Sequence, residues 1–139
     1  MPPVTGTIDL EFSIAADLTA PAAARRCVER LSDYADPDLL SDIKFLVNEL
    51  VTNSIQHGSS RGDWIGLTMT GDPACVRVEV SDQGPGFEAF PRAADLDDTS
   101  GRGLYLVSQM SDSWGVDRED RTRVWFEIHP AVPAGAAAL

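Results

Sequence analysis

Cysteine and basic residues are both scarce in this chain of 139 residues. The two cysteines, Cys27 and Cys75, are too few for a disulfide framework, and their spacing in the sequence is not that of a metal-binding motif. Lysine and arginine together number 11 against 22 aspartates and glutamates, so the formal net charge is −11. This balance argues against non-specific binding to nucleic acid or to an anionic membrane surface. A ligand with several negative charges would need a local device, such as Mg²⁺ or backbone amides, to offset repulsion.

Long hydrophobic runs and a signal-peptide pattern are absent from the sequence as well. No apolar segment approaches the length of a membrane span. The length suits one domain with a core of its own. We therefore expect a single domain over residues 7–129, in the cytoplasm and not in a membrane, with flexible ends at 1–6 and 130–139.

Five segments have the alternation of a half-buried strand. They are residues 7–14, 63–70, 74–82, 114–118 and 122–128. A Gly-Asp-Pro break at 71–73 predicts a turn between the second and third strands. The last two segments read as a hairpin.

Three segments have helical spacing instead. The first covers residues 21–34, with Asp17 or Thr19 as its cap and Pro21 in its first turn. The second starts with Asp36 as cap and Pro37 at the first position, and should end at Gly58. The third follows a glycine-rich turn and runs to about residue 110.

Glu49 and Asn53 lie four residues apart in the second helix, so their side chains share one face. They flank an apolar stripe and are expected at the border of a mostly buried helix. A carboxylate and a carboxamide there suit Mg²⁺, and the carboxylate could accept a proton. The alternative is an amphipathic helix with a solvated polar flank.

Strand parity places Asp82 on the inward face, at the end of its strand. A buried carboxylate is costly unless a protein or ligand donor pairs with it. Alternatively, its side chain caps the following turn. Thr122 shares the parity of its inward neighbours and also points inward.

A long loop follows the third strand, and glycines lie on both sides of it. Gly84 and Gly86 free the backbone to approach a ligand closely. Residues 87–100 have no period, which is typical of a lid or a disordered segment. Gly101 and Gly103 then precede a helix, where backbone amides and the helix dipole favour a phosphate group.

Three of these segments, in this order, resemble the motifs of the GHKL (Bergerat-fold) ATP-binding superfamily, which includes histidine-kinase catalytic domains and type II topoisomerase ATPases. The likeness covers about residues 7–129 and rests on the N box and two glycine boxes, Glu49-Leu50-Val51-Thr52-Asn53, Asp82-Gln83-Gly84-Pro85-Gly86-Phe87 and Ser100-Gly101-Arg102-Gly103-Leu104. The resemblance implies a two-layer α/β (α+β) sandwich with a mixed, mainly antiparallel sheet and helices on one face.

Within the superfamily the sequence is most similar to the anti-sigma-factor serine/threonine kinases. The resemblance implies ATP and Mg²⁺ as ligands, Glu49 as catalytic base and Asn53 as Mg²⁺ ligand. Asp82 would accept the adenine amino group, with Thr122 beside it. The remaining nucleotide-binding positions would be Gly84, Gly86, Gly101, Arg102, Gly103 and Leu104.

By this resemblance the protein would phosphorylate a serine or threonine of an anti-sigma antagonist and could also sequester a sigma factor. It would form a homodimer through its first strand and helix. The alternative is a non-catalytic module whose protein binding is gated by nucleotide. A detached histidine kinase is disfavoured, because neither His57 nor His129 falls on a dimerisation-type helix.

Overall fold

The computed structural model describes residues 7–58, 63–72, 74–82, 99–117 and 121–129, without the side chains of residues 57, 58 and 99–102. Its helices and strands are β1 (Ile8–Ala15), α1 (Ala20–Val28), α2 (Pro37–Asn53), β2 (Trp64–Asp72), β3 (Cys75–Asp82), α3 (Thr99–Met110), β4 (Ser113–Asp117) and β5 (Thr122–Ile128). A 3₁₀ helix, Glu29–Asp33, extends α1, and a π turn, Ser54–Gly58, extends α2. No helix in these ranges is long and apolar enough to span a bilayer.

The five described strands form one sheet in the order β1-β2-β3-β5-β4. Every pairing between them is antiparallel, so this part of the chain contains no parallel pair. With three α-helices beside the sheet, the α+β fold class predicted from the sequence is confirmed.

Strand register puts the apolar residues on one face of the sheet. Leu10 lies opposite Met69, Met69 opposite Val78, and Val78 opposite Phe126. Residues directly opposite in an antiparallel pair share a face, so this row crosses four strands. The last three side chains are fully buried. Burying each side chain of this size stabilises the fold by about 1.5–3 kcal/mol.

Helix α2 begins as its sequence predicts and forms the centre of the helical layer. The Asp36 carboxylate accepts a hydrogen bond from the Leu39 backbone N–H at 2.9 Å, and Pro37 occupies the first turn. The residues of the predicted stripe are all buried: Ile43, Leu46, Val47, Leu50 and Ser54. The helix packs against α1, α3 and β3.

Two predicted helix bounds are wrong. The first helix is α-helical only to Val28 and continues as the 3₁₀ helix, because Tyr34 N–H bonds to the Leu31 carbonyl in a tighter turn. The third helix starts at Thr99, so Gly101 and Gly103 lie inside it rather than in a turn before it. The glycine at 103 is needed for close packing on α2, as described below.

Candidate functional site

The two polar residues of α2 lie deeper than the sequence indicates. Glu49 is 7% exposed and Asn53 only 1%. We expected both at the border of the buried face, but both are buried. A solvated polar flank, the alternative interpretation of this pair, is therefore excluded.

Gly103 of α3 lies directly against Asn53. A β-carbon at position 103 would stand 2.3 Å from Asn53 Nδ2, closer than any side chain tolerates. Glycine is therefore the residue that lets the second glycine box contact the N box. The two motifs, separate in sequence, therefore lie in contact.

The Asn53 amide makes no hydrogen bond within the described part of the chain, through either Oδ1 or Nδ2. Leaving such a buried group unsatisfied costs about 1–3 kcal/mol. A carboxamide oxygen is an accepted ligand of Mg²⁺, which prefers oxygen donors. The orphaned amide and the neighbouring Glu49 carboxylate therefore fit the predicted Mg²⁺ position.

Asp82 and Thr122 are a directly opposed pair at one end of the sheet. Asp82 ends β3, Thr122 begins β5, and the antiparallel register places them face to face. Each is 2% exposed. The predicted inward direction of both residues is confirmed, and the register adds that they are neighbours. A carboxylate beside a hydroxyl can recognise a ligand with an amino group next to an acceptor.

The structure describes only some of the remaining predicted site residues. Gly84 and Gly86 and the predicted lid up to residue 98 lie outside the described residues, as do the side chain of Arg102 and the two chain ends. Gly101 lies in the first turn of α3. Leu104 is fully buried in the hydrophobic core, so a contact with a nucleotide would come from its backbone.

The π turn Ser54–Gly58 is a feature of the site that the sequence did not indicate, since we predicted a regular helix up to Gly58. It follows Asn53 directly and contacts β3, the strand that carries Asp82. Insertions of this kind often occur at functional sites because they redirect a helix locally. No residue type in this segment predicts a π turn.

A sequence model of the histidine kinase-like ATPase domain matches residues 14–128, which includes α2, β3, α3 and β5. The chain belongs to this family. A histidine kinase-like ATPase domain is an ATP-binding domain of the GHKL type, and the buried Asn53, Asp82 and Thr122 lie within the matched segment. No curated protein matches the chain.

Solved structures show the same fold. The histidine kinase domain of the Erythrobacter litoralis EL346 blue-light activated histidine kinase is 21% identical with a TM-score of 0.53, and covers 80% of this chain. A second structure of that kinase is 22% identical with a TM-score of 0.54, and covers 78%. The chain spans 59% and 40% of those two chains. At these identities the likeness establishes the fold of this histidine kinase-like ATPase domain and not its substrate.

Proposed function

We propose that this ATPase domain is an anti-sigma-type serine/threonine kinase, which transfers the γ-phosphoryl group of Mg·ATP to an antagonist protein and could also sequester a sigma factor. One observation carries the proposal. A carboxylate and an unsatisfied carboxamide are buried one turn apart on α2, and the carboxamide lies against Gly103 of α3. A carboxylate at this position can accept the proton of an attacking hydroxyl, which a module without catalysis does not require.

In this proposal the Asp82–Thr122 pair binds the adenine base. The Asp82 carboxylate accepts a hydrogen bond from the exocyclic amino group, and the Thr122 hydroxyl supports the neighbouring ring edge. A purine with a carbonyl at that position would face the buried carboxylate with an acceptor. The unmet pairing would cost about 1–3 kcal/mol, which favours adenine over guanine.

Asn53 holds the metal and Glu49 receives the proton. Bound Mg²⁺ supplies neutralisation of the charge on the phosphate oxygens. The serine or threonine hydroxyl oxygen attacks the γ-phosphorus, the bond to the β–γ bridging oxygen breaks, and ADP leaves. The hydroxyl proton passes to the Glu49 carboxylate. Gly103 keeps Asn53 in position through the close contact of α3 with α2.

Phosphorylation of a histidine within the same domain is less well supported. His129 Nε2 lies 3.5 Å from Cys75 Sγ, on the sheet face opposite to the inward Asp82 and Thr122. The side chain of His57 is not among those that the structure describes. The EL346 kinase provides a likeness in fold alone, so it does not favour histidine as the acceptor here.

A homodimer through β1 and α1 is part of the proposal. Within the described sheet β1 is an edge strand, and edge strands offer unpaired backbone groups to a second chain. Leu18, between these two elements, is 92% exposed. Sedimentation velocity should give a dimer for the parent protein and a monomer for Leu18→Glu. A parent protein that is monomeric at tens of micromolar would exclude the dimer.

The function is tested with γ-labelled ATP, Mg²⁺ and the candidate antagonist proteins. We expect label on a serine or threonine of one antagonist, and its loss in Glu49→Gln with ATP binding retained. Asp42→Asn, an exposed position on the same helix α2, is the matched control and should keep full transfer.

Two other outcomes separate the alternatives. Tight Mg·ATP binding without transfer to any candidate, unchanged in Glu49→Gln, would favour a nucleotide-gated binding module. Failure of the parent protein to bind Mg·ATP would overturn both functions.

A further inference from the structure

A second group of metal-binding side chains lies outside the nucleotide site, on the opposite face of the sheet. Cys75, Glu127 and His129 each bring one ligand atom to within 4.8 Å of the other two. Cys75 begins β3, and His129 follows the end of β5. Val76 pairs with Ile128, so the same antiparallel register sets Cys75 beside His129 across the strands.

The distance between two of the donor atoms suits a tetrahedral soft-metal site. Cys75 Sγ and His129 Nε2 are 3.5 Å apart. Zn–S bonds of about 2.3 Å and Zn–N bonds of about 2.0–2.1 Å at the tetrahedral angle place the two donors about 3.5 Å apart. The separation needed for a shared metal is therefore already present without one.

Hydrogen bonds hold two of the three groups in place. Ser113 Oγ donates to Glu127 Oε1 at 3.0 Å, and Arg77 Nη1 contacts Glu127 Oε2 at 3.3 Å. The His129 backbone N–H donates to Asp112 Oδ2 at 2.6 Å, which fixes the chain at the end of β5. Ligands oriented by such outer contacts bind metals more tightly, because less freedom is lost on binding. Each Glu127 oxygen keeps a second lone pair for a metal.

The electrostatic surroundings also favour a cation. The carboxylates of Glu127, Asp72 and Asp112 and the guanidinium of Arg77 are the charged groups that act on Cys75. Three carboxylates against one guanidinium leave a negative local potential. A divalent ion reverses that balance and displaces the thiol proton to solvent as the metal–sulfur bond forms.

We propose that Cys75, Glu127 and His129 form a binding site for Zn²⁺ or a similar soft divalent cation, with the fourth position open to water. The bound ion would join the start of β3 to the end of β5. Its effect would be to stabilise this end of the sheet, independently of ATP.

Cobalt titration of the full chain, reduced and in excess Mg²⁺, tests the site. Co²⁺ bound to a thiolate absorbs through sulfur-to-metal charge transfer, whereas Co²⁺ on the oxygen ligands Glu49 and Asn53 does not. We expect this absorption to saturate at one equivalent and to be displaced by Zn²⁺. Cys75→Ser should abolish it, and His129→Ala should weaken Co²⁺ binding by at least about tenfold.

Cys27→Ser is the matched control, because Cys27 lies on α1 and is also partly buried. It should keep the absorption and its saturation. The proposal is overturned if no saturable absorption develops, or if Cys75→Ser retains it. It is also overturned if Zn²⁺ raises the melting temperature of the parent and of Cys75→Ser equally.

Discussion

At the scale of single residues, a change at Asn53 should affect the binding of Mg·ATP far more than the stability of the fold. Its buried polar atoms have no hydrogen-bond partner in the described part of the chain, so Asn53→Ala removes a cost while it creates a small cavity. We expect the free energy of unfolding without ligand to change by no more than about 1 kcal/mol. The rise in melting temperature with Mg·ATP should disappear. Differential scanning fluorimetry with and without Mg·ATP measures both.

Asn48 supplies the control on the same helix. It accepts a hydrogen bond from Arg25 Nη1 at 2.6 Å, which links α2 to α1. Asn48→Ala should therefore lower the melting temperature slightly and keep the response to Mg·ATP, the opposite pattern. An Asn53→Ala protein that is stabilised by Mg·ATP as much as the parent would remove Asn53 from the site.

Asp82 should decide the choice of base. If its carboxylate accepts the adenine amino group, Asp82→Ala loses affinity for ATP and changes little toward GTP. The preference for ATP over GTP should fall by roughly 5- to 150-fold, which corresponds to about 1–3 kcal/mol. Isothermal titration calorimetry with both nucleotides measures this ratio.

Thr122→Val keeps the shape of the directly opposed side chain and removes its hydroxyl. It should change the ratio in the same direction by less, and the double variant should be non-additive because the two residues are in contact. An unaltered ATP-to-GTP ratio in Asp82→Ala would argue against base recognition by this pair.

At the scale of elements, the contact between α2 and α3 depends on one glycine. Glycine to alanine inside a helix ordinarily stabilises by about 0.5–1 kcal/mol. At position 103 the added carbon would meet Asn53 Nδ2 at 2.3 Å. The end of a side chain yields more easily than a helix backbone, so the cost should fall on the position of Asn53. For Gly103→Ala we expect ATP affinity to drop about tenfold or more, with a smaller change in stability.

An exposed position of the same helix gives the comparison. Gln109→Ala should leave both ATP affinity and stability near those of the parent protein. A Gly103→Ala protein with normal ATP affinity and reduced stability would show that α3 moves as a whole and that Asn53 stays in place.

At the scale of the whole molecule, the net charge of −11 should weaken the fold at low salt. Raising NaCl from about 10 mM to about 150 mM shortens the screening length from about 30 Å to about 8 Å. Repulsion among acidic groups then falls, and the melting temperature should rise by a few degrees. This shift corresponds to a rise of roughly 1 kcal/mol in the free energy of unfolding. Choline chloride at equal ionic strength should act alike. A fall would mean that surface ion pairs such as Arg77–Glu127 outweigh the repulsion.

Much of the fold could be predicted because its patterns are local. Alternation along β3 and β5 is sufficient to place Asp82 and Thr122 on the inward face, and the Asp36-Pro37 start of α2 is set by neighbouring residues. The bounds of α3 could not be predicted, because Gly103, which looks like part of a turn, is required by a contact with another helix.

The sequence by itself determined which residues point inward, which helix carries Glu49 and Asn53, and to which family the order of motifs belongs. Only the tertiary structure decided which of these residues meet. It buries Asn53 against Gly103, sets Asp82 opposite Thr122, and brings Cys75 beside His129, 54 positions away. Periodicity acts over a few neighbouring residues, whereas such contacts depend on strand register and helix packing, which the whole chain sets together.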